Sequence, residues 1–350
     1  MSSSFPSRLE LDLLDSTQIS NPPPQFAVRL VRAVGRFVHF IRRFERRRPD
    51  AVLLFVAVGA SIVEKGAMAW YARLRGVPAI MFPRGGSVVE DCRESAFTRA
   101  WVCWSFRGAR KIVCQSEAWR QFAIEVLGFA RTNVAVIRNW TATRQLLDIG
   151  AKRVARRNPT VCLLFLGWLE RDKGIFELIE ACRQIRSSRR FTLDIAGDGN
   201  ASAEARALVV RHDLSEVIRF RGWLRGQRLL QALAEADVLV LPSWAEGLPN
   251  AMIEGMAARL AVVVTSVGAI PELVTDRHSG MLIEPRNADS LARALGEIIT
   301  DGGLRENLAR EAYRIAVCDF EVEAAVDRLV SEIEDTIVVG RERRLSGRAV

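Results

Sequence analysis

Two glutamates with seven residues between them, Glu246 and Glu254, stand in the densest run of chemically capable residues in the chain, L-P-S-W-A-E-G-L-P-N-A-M-I-E-G-M-A over residues 241–257. A strand is expected to end at Leu241, with Glu246 and Gly247 in the loop after it. A helix should begin near Pro249 or Asn250, because proline is favoured at a first helical position. Glu254 then falls in the first turns of that helix, on the strand-end edge where open α/β sheets bind ligands. The leading N–H groups of Asn250, Ala251 and Met252 would offer partial positive charge to an anion, most naturally a phosphate. Two carboxylates repel that phosphate; they suit hydroxyl donors, which a ribose and a sugar both supply.

A second cluster, G-W-L-E-R-D-K-G at residues 167–174, follows an apolar run and carries Arg171 and Lys173 on a glycine-flanked loop, a form that can set two cations over a diphosphate. Only 4 lysines accompany 46 arginines in the chain, so a lysine here is a marked choice. A third cluster, S-V-G-A-I-P-E-L at residues 266–273, reads as a small-residue turn that opens another helix and adds backbone donors around Gly268. The G-D-G at residues 197–199 reads as a plain strand-to-helix connection, because no third glycine follows at dinucleotide-binding spacing; a dehydrogenase is disfavoured. His39, His212 and His278 share no constellation and read as structural.

These clusters need a scaffold, and the chain of 350 residues with 49% apolar and 26% charged residues is long enough for two globular domains and a cleft between them. Collagen, coiled coil and wholesale disorder are excluded by that composition. Short apolar runs alternate with helical stretches, the pattern of a parallel sheet flanked by helices. Strands are expected at residues 51–58, 77–82, 111–114 and 134–137, with a weak candidate at 9–14. A second series follows at 161–166, 191–196, 218–220, 238–241, 261–265 and 281–283. Residues 26–48 read as a helix with an apolar stripe of Val31, Val34, Val38, Ile41 and Phe44, and a last helix runs from about 322 to 337. The domains are expected at 1–150 and 151–320, followed by a C-terminal helix at 321–338 and a frayed tail at 339–350.

Charge is lopsided: residues 1–150 hold 22 Lys+Arg against 12 Asp+Glu, whereas residues 151–350 hold 28 against 29. Eight arginines lie between Arg29 and Arg48, so the first helix is either a basic amphipathic helix for an anionic membrane surface or a helix with a solvated face. Nothing interleaves those arginines with base-reading or stacking residues, so nucleic acid is not an expected partner. Six dispersed cysteines without a C-x-x-C pair suggest a reducing compartment, and neither the apolar runs nor the N-terminus suggests a spanning helix or a secretory signal, so a cytoplasmic protein is expected.

The series F-L-G-W-L-E-R-D-K-G, I-A-G-D-G, F-R-G, A-D-V-L-V-L-P-S-W-A-E-G-L-P-N-A-M-I-E and G-A-I-P-E, in register from about residue 161 to 301, resembles glycosyltransferase family 4, of the GT-B fold. R-P-D-A-V at 48–52, P-R-G-G at 83–86, V-C-Q-S-E at 113–117 and V-I-R-N at 136–139 sit where that family has its first-domain counterparts. The resemblance implies an α/β architecture of two doubly wound Rossmann-like domains facing a cleft, 1–150 on the acceptor side and 151–320 binding the nucleotide sugar, with the helix at 321–338 crossing back to the first domain. It implies a retaining, metal-independent, hexosyltransferase-like enzyme of polysaccharide biosynthesis that uses a nucleotide sugar and a lipid-linked, polysaccharide or other glycan acceptor. No cofactor and no metal are implied. In these terms Glu254 takes the ribose hydroxyls, Glu246 orients the donor sugar, and Lys173 pairs with the diphosphate. Gly167, Gly247, Leu248, Pro249, Asn250 and Gly268 line the donor pocket.

The chain departs from the family in three places. Trp168 stands where the family has an arginine, so Arg171 is expected to supply the missing cation, making Glu246, Lys173 and Arg171 the catalytic set. Arg84 stands where the family has a histidine; with Gly85 and Gly86 it is either an acceptor contact or part of a structural ion pair. The first domain is expected to lack its first strand-and-helix unit. The alternative that these departures leave open is a non-catalytic GT-B-like protein that binds a nucleotide, a sugar or a partner.

Overall fold

A computed structural model describes residues 9–15, 26–85, 88–154, 160–187 and 190–346. The chain divides into two compact units, Met1–Arg138 with Glu323–Val350, and Asn139–Val322. The division falls at 138/139 rather than the expected 150/151 because residues Arg144–Lys152 form a helix that packs within the second unit.

In the first unit α1 (Phe26–Arg47), β1 (Val52–Val56), α2 (Ala60–Leu74), β2 (Ala79–Pro83), α3 (Val88–Glu94), α4 (Ala96–Phe106), β3 (Lys111–Cys114), α5 (Glu117–Glu125) and β4 (Val134–Val136) follow one another. The four strands lie side by side in chain order, all parallel. The side chains of β2 and β3 are buried on both faces, as the centre of a sheet covered by helices requires, whereas β1 exposes Phe55 and β4 is only partly buried. Residues 9–14 form no strand, since no partner strand bonds their backbone; Leu14 instead packs against the core of this unit.

α1 docks only by its C-terminal half. Phe37, Phe40 and Phe44 meet Tyr71 of α2 edge-on with ring centroids 6.4, 6.2 and 5.4 Å away. Arg36 forks onto Glu64, Nε–Oε1 2.8 Å and Nη2–Oε2 2.7 Å. Of the expected stripe, Phe44 is buried and Ile41 packs on the core, but Val31, Val34 and Val38 are exposed, Val31 at 72%.

The second unit opens with α6 (Arg144–Lys152) and continues through β5 (Val161–Leu166), α7 (Ile175–Ile185), β6 (Phe191–Ala196), α8 (Ser202–Arg211), β7 (Ile218–Gly222), α9 (Gln227–Glu235), β8 (Val238–Leu241), α10 (Asn250–Ala257), β9 (Ala261–Thr265), β10 (Met281–Ile283), α11 (Ala288–Thr300) and α12 (Gly302–Asp319). Its parallel sheet has the order β10-β9-β8-β5-β6-β7. Alternation along β5 divides the core: Val161, Leu163 and Phe165 face the α7–α8–α11 layer, while Leu164 and Leu166 face the α6–α9–α10 layer. Short polar residues start the helices by accepting first-turn N–H groups, Thr143 from Leu146, Asn287 from Ser290 and Asp301 from Leu304. Arg153 closes two helix ends at once, donating from Nη1 to Ala236 O (2.7 Å), from Nη2 to Leu233 O (2.7 Å) and from Nε to Ala258 O (2.9 Å).

The last helix, α13 (Val322–Ser346), is counted from Glu323 onward with the first unit, where Val326, Leu329 and Val330 are buried and Glu332 pairs with Lys111. It runs on to Ser346, so the stretch expected to fray from residue 339 is helical through that point. The expected helix after Ser266 is a single 3₁₀ turn, Ile270–Glu272.

Candidate functional site

The strand order of the second unit reverses between β5 and β8, and ligands of doubly wound sheets bind outside the carboxyl ends of the strands at such a switch point. The two loops that leave there are the first and second sequence clusters. The structure brings Lys173, in a 3₁₀ turn after β5, onto Glu246, in the loop after β8, with Nζ–Oε1 2.8 Å and both side chains mostly shielded. An ion pair so withdrawn from water keeps more of its strength than a surface pair.

Backbone contacts fix both loops. Trp244 N–H donates to Asp172 O (2.7 Å), joining the loop after β8 to the lysine turn. Gly174 closes that turn at φ 69°, and a Cβ there would lie 2.0 Å from Pro242 O. Gly268 closes the other side at φ 57°, where a Cβ would lie 1.9 Å from Glu246 O, and Ala269 N–H donates to Gly247 O (2.9 Å). Only glycine combines that φ with that approach. Thus the carboxylate loop is gripped by its two neighbours.

α10 rises from this loop with Pro249 at its cap. Met252 N–H, expected to be unpaired, donates to Pro249 O (3.2 Å), which leaves the amides of Asn250 and Ala251 as the forward-pointing donors. Glu254 lies one turn on. Among the described residues no donor bonds its carboxylate, and burial pushes its pKa up to about 7. A carboxyl so shielded, with no partner among the described residues, is one whose charge the fold itself does not stabilise.

Sequence reasoning missed what holds the head of α10. Asn139, buried in the second unit, donates from Nδ2 to Leu248 O (2.6 Å) and to Asn250 Oδ1 (2.8 Å). The resemblance sets its motif V-I-R-N with the first domain; an asparagine just past an apolar run is the signal the sequence holds. The G-D-G turn is likewise more than a connection: Leu169 N–H donates to Asp198 O (3.0 Å) and Gly167 N–H to Ala196 O (3.1 Å), stitching the loop after β6 to the loop after β5.

Other expected site residues lie elsewhere. Arg171 does not join Lys173 and Glu246: it holds Glu204 of α8 (3.0 Å), with its guanidinium 4.5 Å from the Phe176 ring centroid, on an exposed surface. Arg171 thus pairs with a surface carboxylate in this arrangement. Trp168 packs against Trp223 with ring centroids 4.4 Å apart, both indoles half exposed. In the first unit Arg84 follows β2, its N–H bonded to Val56 O (2.7 Å) and its guanidinium 5.2 Å from the Phe82 ring centroid. Burial lowers its pKa to about 10, so it stays cationic at neutral pH. A Cβ on Gly85 would press on Val58 at 2.4 Å, and Gly86 lies outside the described residues.

Residues 160–301 match the family model described as glycosyl transferases group 1, and residues 13–140 match a glycosyl transferase 4-like domain. The chain is similar to an uncharacterized glycosyltransferase of Methanocaldococcus jannaschii, 33% identical over 43% of this chain and 39% of the relative. It is also similar to a Mycobacterium tuberculosis glycogen synthase, 28% identical over 62% of this chain and 52% of the relative. The lipopolysaccharide core biosynthesis glycosyltransferase LpsE of Rhizobium meliloti is 28% identical over 63% of each chain. This chain therefore spans about half the length of the curated relatives it matches. Among solved structures, sucrose-phosphate synthase of Thermosynechococcus elongatus superposes with a TM-score of 0.74 at 19% identity, covering 96% of this chain and 88% of that one. Anabaena HepE in complex with UDP gives 0.68 at 18%, covering 86% and 82%. Two glycosyltransferase family models match in this order, and the two parallel-sheet α/β units have the GT-B fold of these solved structures.

Proposed function

We propose that the protein transfers a sugar from a nucleotide sugar to a lipid-linked, polysaccharide or other glycan acceptor, with retention of anomeric configuration and without a metal. The observation that carries this reading is the convergence of Lys173, Glu246, Glu254 and the head of α10 at the carboxyl ends of β5 and β8. Glu254 accepts the ribose hydroxyls, which supply the donors its carboxylate lacks. Glu246 orients the donor sugar. Lys173, steered by Glu246, and the α10 amides neutralise the charge that develops on the departing diphosphate, the kind of preorganised electrostatics that lowers a barrier without a covalent step. Gly167, Gly247, Leu248, Pro249, Asn250 and Gly268 shape the pocket, and Arg84, Gly85 and Gly86 serve the acceptor.

The printed descriptions of relatives support the reading: several are glycosyltransferases of surface-polysaccharide synthesis, and one structural neighbour was solved with UDP-glucose. A lipid-linked acceptor also suits α1, whose arginines and exposed valines fit the inner face of an anionic membrane. The test is donor turnover with UDP-glucose, GDP-mannose and ADP-glucose in the presence of EDTA. Lys173→Ala and Glu254→Ala are each expected to lower kcat/KM by about 10²-fold, the scale of losing one preorganised group. Turnover by both variants at the parent's rate would sink the assignment, and loss of turnover on chelation would sink its metal-free part.

A further inference from the structure

We infer that Asn139 is a positioning residue that locks the side-chain amide of Asn250 with its NH2 toward the donor's phosphates. The inference rests on the donor-site reading and deepens it.

The argument is one of donors and acceptors. Leu248 O is a carbonyl and can only accept, so the Asn139 atom that lies 2.6 Å from it is the NH2 nitrogen. That nitrogen has a second hydrogen, and it points at the Asn250 side chain 2.8 Å away. The Asn250 atom facing a donor must be its oxygen. Its own NH2 is thereby turned outward, and among the described residues nothing bonds it. Asn139 is buried at 2% exposure, so its geometry is set by packing rather than by solvent, whereas Asn250 is exposed and would otherwise be free to flip. A flipped Asn250 would set two donors against each other and face an oxygen toward an incoming phosphate. With the amide locked, the outward groups at the head of α10 are donors alone: the backbone N–H of Asn250 and of Ala251, and the Asn250 NH2. Thr141 Oγ1 donates to Asn250 O (3.4 Å) and steadies the same residue from the backbone side.

The experiment is titration calorimetry of the whole chain with UDP, GDP and ADP, followed by a double-mutant cycle using whichever nucleotide binds the parent. Asn139→Ala and Asn250→Ala are each expected to weaken binding about tenfold, the scale of one hydrogen bond to a charged group. Because Asn139 acts through Asn250, Asn139→Ala should change affinity by less than about twofold when Asn250 is already alanine. A purely structural role, felt through Leu248, would cost the same in both backgrounds and would overturn the inference. Should thermal melts show Asn139→Ala unfolded, the exposed position decides: Asn250→Asp keeps the oxygen that Asn139 bonds and turns the second oxygen outward. It is expected to bind more weakly than Asn250→Ala, and binding as tight as the parent's would overturn the inference. Failure of the parent to bind any of the three nucleotides would bring down the donor-site reading, and this inference with it.

Discussion

Glu254 carries an ionisable group where its charge is disfavoured, and nothing in the described chain offsets that. Burial raises its pKa from the usual 4.5 to about 7. The folded state therefore keeps a proton between those values that the unfolded state releases, so stability falls as pH rises through that window, and the full loss is present above about 7. Glu254→Gln removes the charge and keeps the shape. At pH 8 its Tm is expected to exceed the parent's by a few degrees, about 2–4 °C per kcal/mol for a domain of this size. At pH 4.5 the two should melt together, and the variant should bind ribonucleotides poorly at both. Scanning calorimetry at the two pH values checks this, and a parent that is as stable as the variant at pH 8 would contradict it. The placement of Glu246, Glu254 and Lys173 at one edge of the sheet was open to sequence reasoning because both clusters carry their spacing locally. Arg171 and Asn139 were not, because their partners Glu204 and Asn250 are remote in sequence and only the fold makes them neighbours.

Elements were legible where burial is continuous. β3, β5, β6, β8, β9 and β10 fall where apolar runs placed them, since apolar residues fill most of their buried positions. Residues 9–14 alternate acceptably but have no neighbouring strand, and alternation without a partner makes no sheet. The loops were harder to read, because what shapes them is contact with other loops. Gly268 is the clearest case: its small-residue context was visible, whereas its approach to Glu246 O was not. Gly268→Ala must push the backbone apart or abandon φ 57°. A non-glycine residue in such a position costs about 1–3 kcal/mol, and the displaced loop is the one that presents Glu246. The variant is expected to lose at least about tenfold in kcat/KM, since displacements of about 1 Å carry penalties of that order or more. Circular dichroism would show the sheet retained, and a variant of parental activity and Tm would show that the grip of Gly268 on the loop is unimportant.

For the molecule as a whole, the informative asymmetry is charge: 22 cations against 12 anions in residues 1–150, and near balance in the remainder. The structure localises its strangest part. The N-terminal half of α1 exposes Val28, Leu30, Val31 and Val34 together with Arg29 and Arg32, whereas its C-terminal half is anchored by the Phe37–Phe40–Phe44 cluster and the Arg36–Glu64 fork. Among the described residues no helix is long and apolar enough to cross a membrane. A helix that is apolar and cationic together, projecting from a fixed base, instead matches the chemistry of an anionic bilayer surface, where each cation contributes about 1 kcal/mol. Arg29→Ala with Arg32→Ala should therefore weaken association with phosphatidylglycerol vesicles about 30-fold. Val31→Asp should weaken it at every salt concentration, because it removes insertion as well as adding repulsion. Raising salt should release the parent, as screening of the cations predicts, and should weaken the double-arginine variant by a smaller factor, since two fewer cations are screened. Sedimentation with vesicles of zero and 40% anionic lipid measures all three, and parental binding that ignores both salt and lipid charge would show that the exposed face of α1 meets something other than a membrane.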